Sequence, residues 1–295
     1  MAGATPNLLP ILAVVAATAS FQVGAALAKG LYPTMGPEGA AAVRLVLGAA
    51  VLLAFARPWR RWPTGARVAP LIGLGVAAGG AVLFFYLAID RLPLAIAISL
   101  QFLGPLAVAV LGSRKPSDLL WAALAAGGVW SLVGAGAGGV QAFDLLGIGF
   151  ALAAAASWAA YILVGRVASA AFGATTAALA TSVSAILVLP VGVATAGSAL
   201  LTPALLPLAL VVAVISVAVP FSLEAFALPR LPARTFAVLT SLEPAWGVLS
   251  GLILLGERLA LLQVAGVAMV MSAAAGAAWS SSARKPAAVP EAPPA

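Results

Sequence analysis

Long apolar runs alternate along the chain with short clusters of Gly, Pro and charged residues. A membrane-crossing helix needs about 20 mostly apolar residues. Ten runs meet that length: roughly 8–28, 39–56, 68–89, 94–112, 118–137, 144–164, 174–196, 204–228, 234–255 and 260–280. The breaks between them carry turn chemistry or charge: Gly36-Pro37, Arg57-Pro58, Asp90-Arg91, Arg114-Lys115-Pro116, Gly138-Gly139, Arg166, Pro203, Pro229-Arg230 and Gly256-Glu257-Arg258. The expected fold class is therefore an all-α membrane protein with ten transmembrane helices.

The runs also repeat. Arg91-Leu92-Pro93 is followed by Pro105, and Arg230-Leu231-Pro232 by Pro244, at the same spacing. The offset of 139 residues pairs Leu100 with Leu239, Leu103 with Leu242, Gly112 with Gly251, Asp118 with Glu257 and Gly127 with Gly266. A weaker register of 137 pairs Ala19-Ser20 with Ala156-Ser157, Lys29 with Arg166 and Gly36 with Gly173. The expected units are residues 1–140 and 141–282, each of five helices, followed by a disordered cytoplasmic tail over 283–295 that is rich in Pro and Ala. Five is odd, so the second unit starts on the opposite side of the membrane from the first. The repeats must then be inverted about an axis in the membrane plane.

Composition agrees with a membrane chain and narrows its chemistry. Hydrophobic residues make up 63% of the sequence and charged residues 8%, with mean hydropathy +1.15. A soluble domain carries roughly 25% charged residues. The net charge of +7 is explained by topology. With a cytoplasmic N-terminus, the inner side holds Arg57, Arg60, Arg61, Arg67, Arg114, Lys115, Arg166, Arg230, Arg234, Arg284 and Lys285, and the outer side Lys29, Arg91 and Arg258. Eleven against three is a positive-inside bias that places both termini in the cytoplasm and requires no nucleic-acid partner. Ala26-Leu27-Ala28 resembles a signal-peptide cleavage site, but the segment before the first run has no Lys or Arg. We expect that run to stay in place as a span.

The chain has no Cys and no His. Disulfides, thiolate chemistry and Ser-His or Cys-His nucleophiles are excluded. Asp90, Asp118 and Asp144 fall at span ends, so a buried aspartyl pair is not available, and there is no Gly-rich phosphate loop with a Lys. We expect no enzyme activity, no cofactor and no metal.

Ionisable groups within the spans are few, and such groups usually face a cavity or a partner. They are Glu243 in span 9, Glu224 in span 8 and Arg44 in span 2; Gln22 and Gln101 are neutral but polar. Glu243 directly precedes Pro244, and Gln101 lies close to Pro105. A proline cannot donate the helical hydrogen bond, so both positions are expected helix breaks that free carbonyls one turn back. Thr240 shares a helical face with Glu243, and Thr18, Gln22 and Lys29 form one stripe on span 1. Ser157 and Tyr161 share a face of span 6, beside Trp158. This gives a candidate substrate site of Gln22, Gln101, Ser157, Tyr161, Glu224, Thr240 and Glu243, with Glu243 and Glu224 as candidates for proton coupling. Arg44 is assigned a structural charge, and each remaining polar residue retains a packing alternative.

Several segments together resemble the EamA-type drug/metabolite transporter superfamily, nearest its threonine/homoserine exporter branch. They are Gln22 with Ala26-Leu27-Ala28-Lys29, Arg44-Leu45, Gly104-Pro105-Leu106-Ala107-Val108-Ala109 ahead of Arg114-Lys115-Pro116, Ser222-Leu223-Glu224, Leu231-Pro232-Ala233-Arg234-Thr235-Phe236 through Leu242-Glu243-Pro244-Ala245, and the Gly256-Glu257-Arg258-Leu259 turn. The resemblance spans about residues 8–280 and implies export of small neutral amino acids by alternating access from a bacterial cytoplasmic (inner) membrane. A carrier of another small solute, such as a drug or purine, and a non-transporting scaffold stay open as alternatives. At position 101 the resemblance leads us to expect Glu in many members; this chain has Gln101, which weakens transfer of an ion-coupling role to that position. The partners expected are an amino-acid substrate and the lipid bilayer; a homodimer is compatible with the sequence but not specified by it.

Overall fold

The computed structural model describes residues 8–60, 68–111, 117–134, 144–227 and 230–281, and every regular element among them is helical. The α-helices are α1 (Leu8–Ala28), α2 (Tyr32–Ala56), α3 (Ala69–Arg91), α4 (Leu94–Gln101), α5 (Leu103–Leu111), α6 (Ser117–Gly134), α7 (Leu145–Phe172), α8 (Thr176–Ala196), α9 (Leu206–Ala213), α10 (Val219–Ala227), α11 (Ala233–Thr240), α12 (Glu243–Leu254) and α13 (Leu261–Ser281). A π-helical turn, Val214–Ala218, joins α9 to α10. The expected tail, the point between the two units at 140–141, and the Arg114-Lys115-Pro116 turn lie outside the described residues.

By length and composition, seven helical stretches among the described residues can cross a membrane, with a shorter apolar helix at Leu119–Leu132. This is fewer than the ten expected. The reason is local: two stretches, Leu8–Arg60 of 53 residues and Leu145–Leu201 of 57, contain short 3-10 turns in place of polar loops. Consecutive helices therefore run together as one apolar segment. Each long stretch is nevertheless divided, since Gly36 has φ +66° and Gly173 has φ +53°. A side chain in that left-handed region meets steric resistance, so both positions favour Gly.

The helices pack in a defined set of pairs: α2 on α8, α3 on α7 and α8, α6 on α13, α4 on α7 and α12, and α1 on α9, α10, α11 and α12. Small residues let the backbones approach, as expected where lipid offers no hydrophobic drive between helices. A Cβ on Gly128 would lie 2.9 Å from the carbonyl oxygen of Gly266, and a Cβ on Gly266 would lie 2.8 Å from that of Gly128, which fixes α6 against α13. Gly75 sits against Val183 and Gly247 against Ile98. The interior is built mainly of Ala, Leu, Ile and Val, while Phe55, Leu111, Trp130, Leu145, Ile253 and Leu261 face outward. An apolar exterior around a small-residue interior suits lipid as the surrounding solvent.

Candidate functional site

Two helical spans are broken at matching places. α4 starts after Pro93 and ends at Gln101; α11 starts after Pro232 and ends at Thr240. The two prolines have nearly the same extended conformation, with φ/ψ of −54°/141° and −57°/138°. The next helices, α5 and α12, carry Pro105 and Pro244 in their first turn, where a missing N–H is tolerated. Pro105 cannot donate to the carbonyl of Gln101, nor Pro244 to that of Thr240. Gln101 and Thr240 are thus equivalent under the 139-residue offset, each the last residue of a half-helix whose terminal carbonyl lacks its usual partner.

Polar side chains gather beside the second break. Glu243 is 5% exposed and opens α12, where the positive end of the helix dipole favours an anion. Its repeat mate, Gly104, is pressed against α7: a Cβ there would lie 2.1 Å from the Ala155 carbonyl oxygen. Gln22 on α1 is 3% exposed, and its Oε1 is buried without a hydrogen-bond partner. α1, which carries Gln22, packs against α10, α11 and α12, the helices that carry Glu224, Thr240 and Glu243. Glu224, half-buried on α10, is close enough for its charge to act on both Glu243 and Tyr161.

The other predicted residues are distributed differently. Gln101 is buried at the end of α4, and the adjacent Phe102 ring meets Trp158 edge-on at 5.3 Å. Ser157 faces α3 at Gly80. Tyr161 packs with Leu71, Leu74, Ala168, Phe172 and Ala180 in an apolar cluster between α3, α7 and α8. Thr240 donates its hydroxyl to the Ala237 carbonyl at 3.0 Å, one turn back along its own helix.

Arg44 is half-buried on α2. Its Nε donates to the Ser216 hydroxyl at 2.7 Å and its Nη2 to the Ser216 carbonyl at 3.0 Å; the guanidinium stands 5.5 Å from the centre of the Tyr86 ring. Ser216 lies in the π-helical turn, a feature frequent at functional sites. A Cβ on Gly24 of α1 would come 2.5 Å from Ser216 Cβ, so the turn also abuts α1. Among the described residues the ion pairs are Lys29–Glu257 and Arg91–Asp144. Lys29 Nζ is 3.4 Å from Glu257 Oε1, while Glu257 Oε2 accepts from the Leu94 N–H at 2.8 Å. One carboxylate thereby ties the end of α1, the start of α4 and the turn before α13. A small cavity of about 140 Å³ opens beside it, lined by Ala95, Val248, Leu252, Glu257, Leu259 and Val264.

Asp144 precedes α7 and caps it, accepting from the N–H groups of Leu146 and Gly147. The hydrogen bond from Arg91 is the main reason its carboxyl is held below the usual range, with the two backbone N–H groups contributing.

Sequence reasoning did not single out Ser216, Tyr86 or Trp246. Tyr86 is fully buried with no hydrogen-bond partner for its hydroxyl, and the Trp246 indole N–H is likewise buried and unpartnered. No local pattern marks Ser216, because its partner Arg44 is 172 residues away. A tyrosine inside an apolar span was a visible signal for Tyr86, since a buried hydroxyl ordinarily requires a partner.

Comparison with known proteins agrees with this architecture. Residues 145–279 match the family model for the EamA-like transporter family. The threonine/homoserine exporter RhtA of Salmonella typhimurium strain LT2 is 45% identical over 279 residues, covering 94% of each chain. The protein of that name from Escherichia coli strain K12 is 44% identical over 271 residues, covering 92% of each. A crystal structure superposes with a TM-score of 0.60 over 92% of this chain and 98% of the other, at 21% identity, which shows a shared fold. The identity extends over nearly the whole length of these exporters, on a bundle of apolar helices with no enzyme among the relatives named: the chain is a multi-pass membrane transporter and belongs to the EamA-like transporter family.

Proposed function

We propose that this protein exports threonine, homoserine and similar small neutral amino acids from the cytoplasm. The observation that carries this reading is the 44–45% identity to threonine/homoserine exporters across more than nine-tenths of both chains. The broken helices and the buried Glu243 supply a site of matching chemistry. A carboxylate attracts the ammonium of an amino acid, and Gln22 Oε1, the Thr240 carbonyl and the Gln101 carbonyl add neutral acceptors. Glu224 joins them from α10, and Ser157 and Tyr161 of α7 complete the site in this reading.

In the same reading the chain crosses the membrane ten times as two inverted five-helix repeats, with both termini in the cytoplasm. Three features support it. The helix breaks in α4–α5 and α11–α12 fall at equivalent positions. The helix pairs exchange under the repeat: α3 with α7 becomes α10 with α1, α4 with α7 becomes α11 with α1, and α5 with α7 becomes α12 with α1, while α2 with α8 and α6 with α13 each map onto themselves. The ends joined by Lys29, Leu94 and Glu257, and those joined by Arg91 and Asp144, then all lie on the outer face.

Transport proceeds by rocking of the two halves about the broken helices, with the Lys29–Glu257 link closing the outer face until the substrate is bound. A proton and the substrate ammonium compete for the Glu243 carboxylate, and Glu224 adjusts its charge; this couples export to inward proton movement without a histidine. Proteoliposomes loaded with labelled threonine test the scheme. Wild-type protein drives efflux under an inward proton gradient, and Glu243→Gln abolishes the gradient dependence. Gradient-driven flux that survives Glu243→Gln would rule out coupling at this residue. A wild type that neither moves threonine or homoserine nor protects cells from toxic homoserine would rule out the substrate assignment.

A further inference from the structure

The half-buried arginine of α2 has work that its protein contacts leave undone. Arg44 spends Nε and Nη2 on the hydroxyl and carbonyl of Ser216. The Ser216 hydroxyl donates its own proton to the Val212 carbonyl at 2.6 Å, so toward Arg44 it acts only as an acceptor. Ser216 orients the guanidinium but carries no charge to balance it. Among the described residues no carboxylate forms an ion pair with Arg44. An unbalanced cation among apolar helices is costly, and such groups normally pair.

Beside it stands a second group in the same condition. Tyr86 is 0% exposed, its ring lies under the guanidinium, and its hydroxyl, within reach of the Arg44 N–H groups, makes no hydrogen bond of ordinary length. Its position is fixed from the other side: Tyr32 donates its hydroxyl to the Tyr86 carbonyl at 3.1 Å, and the two rings sit 6.1 Å apart. A buried O–H donor and a half-buried guanidinium with unused N–H groups both call for one kind of partner, an acceptor bearing negative charge. An ammonium would be repelled here, and a neutral hydroxyl would leave the charge unbalanced.

We propose that Arg44 and Tyr86 form the seat for the α-carboxylate of the transported amino acid. The proposal rests on the amino-acid export reading and deepens it. The turn that holds Arg44 abuts α1, the helix that also carries Gln22, at Gly24. The substrate then meets acceptors for its ammonium at Gln22 and Glu243 and donors for its carboxylate at Arg44 and Tyr86. Selection for a zwitterion follows, because a ligand lacking the carboxylate leaves the guanidinium as unbalanced as before.

The test uses counterflow of labelled L-homoserine in proteoliposomes of the full-length protein, with L-threonine and threoninol as competitors. Threoninol keeps the amine and the side-chain hydroxyl but replaces the carboxylate with an alcohol. In the wild type, threonine competes and threoninol does not. Tyr86→Phe removes a hydrogen bond to a charged group and raises KM by about tenfold or more. It leaves the melting temperature of the ligand-free protein nearly unchanged, because the deleted hydroxyl made no hydrogen bond of ordinary length in the fold. Arg44→Lys, which keeps the charge but loses the fork, also raises KM. A merely structural Arg44 would move stability and leave the KM of Tyr86→Phe alone. Wild-type protein that moves neither homoserine nor threonine overturns the export reading and the seat with it. Transport with both variants at wild-type KM, or with threoninol competing as well as threonine, overturns the seat alone.

Discussion

Gly104→Ala tests the contact that separates the two halves chemically. A Cβ at this position would lie 2.1 Å from the Ala155 carbonyl oxygen, 2.9 Å from its carbonyl carbon and 3.2 Å from its Cα. All three atoms are backbone of α7, so no side chain can rotate to make room. An ordinary contact between such atoms is about 3.3–3.6 Å. The helices must separate by about 1 Å, or α5 must turn on its axis, and the Phe102–Trp158 contact close by at 5.3 Å shifts with it. Overpacking of this kind costs about 1–3 kcal/mol, and the rigidity of both partners places the expected loss in the upper half of that range. The control is Gly149→Ala on α7, where nothing lies within 4 Å of the added methyl. That change is expected to be neutral, or stabilising by up to about 1 kcal/mol through the lower helical cost of Ala. Thermal unfolding of the purified proteins in one detergent compares them directly. If Gly104→Ala melts with the wild type, α5 and α7 are not in backbone contact, and the steric reason why this repeat position carries Gly rather than Glu fails.

Three further substitutions follow from the structure. Gly173→Ala meets no neighbour but must adopt φ +53°, so it should cost about 1–2 kcal/mol where Gly149→Ala costs nothing, again read by melting temperature. Glu257→Gln leaves both Lys29 and the Leu94 N–H without an anionic partner and offers one amide oxygen in place of two carboxylate oxygens, with an expected loss of about 1–2 kcal/mol; a cysteine placed at Ala95 in this cysteine-free chain should then react faster with a maleimide. For Asp144 the folded carboxyl lies below its ordinary range, so its contribution to stability is present above the unfolded pKa of about 3.9 and is lost as pH falls through the lowered folded value. Asp144→Asn should therefore melt below wild type at neutral pH, and the gap should close on acidification; a constant gap across that range refutes the assignment.

Much of the helical scaffold was legible in the chain, since lipid demands apolar runs of fixed length and Pro, Gly and charge punctuate them. The α1 boundaries match the first run, and the paired prolines marked the sites near which α4 and α11 end. The count of crossings was not settled in the same way, because short 3-10 turns at Lys29–Leu31 and Gly173–Thr175 carry the chain between helices without an extended polar loop. The site divides similarly. Glu243, Gln22 and Gln101 stood out as polar residues in apolar runs, whereas the link between Arg44 and Ser216 joins distant segments through a π-helical turn that has no sequence signature.

The sequence alone determined that this is an apolar helical chain with a duplicated Arg-Leu-Pro…Pro motif, because the bilayer and proline act on local residues and leave local marks. It also recorded that the duplication is unequal, with Gly104 in one copy and Glu243 in the other. Only the tertiary structure gave that inequality a cause. Gly104 lies against a carbonyl of α7 where a side chain has no room, while at the matching place α12 carries a buried carboxylate. Which partners a buried group meets depends on how helices far apart in sequence pack, and among the described residues that same packing gives Arg44 no carboxylate to pair with and the Tyr86 hydroxyl no hydrogen bond of ordinary length.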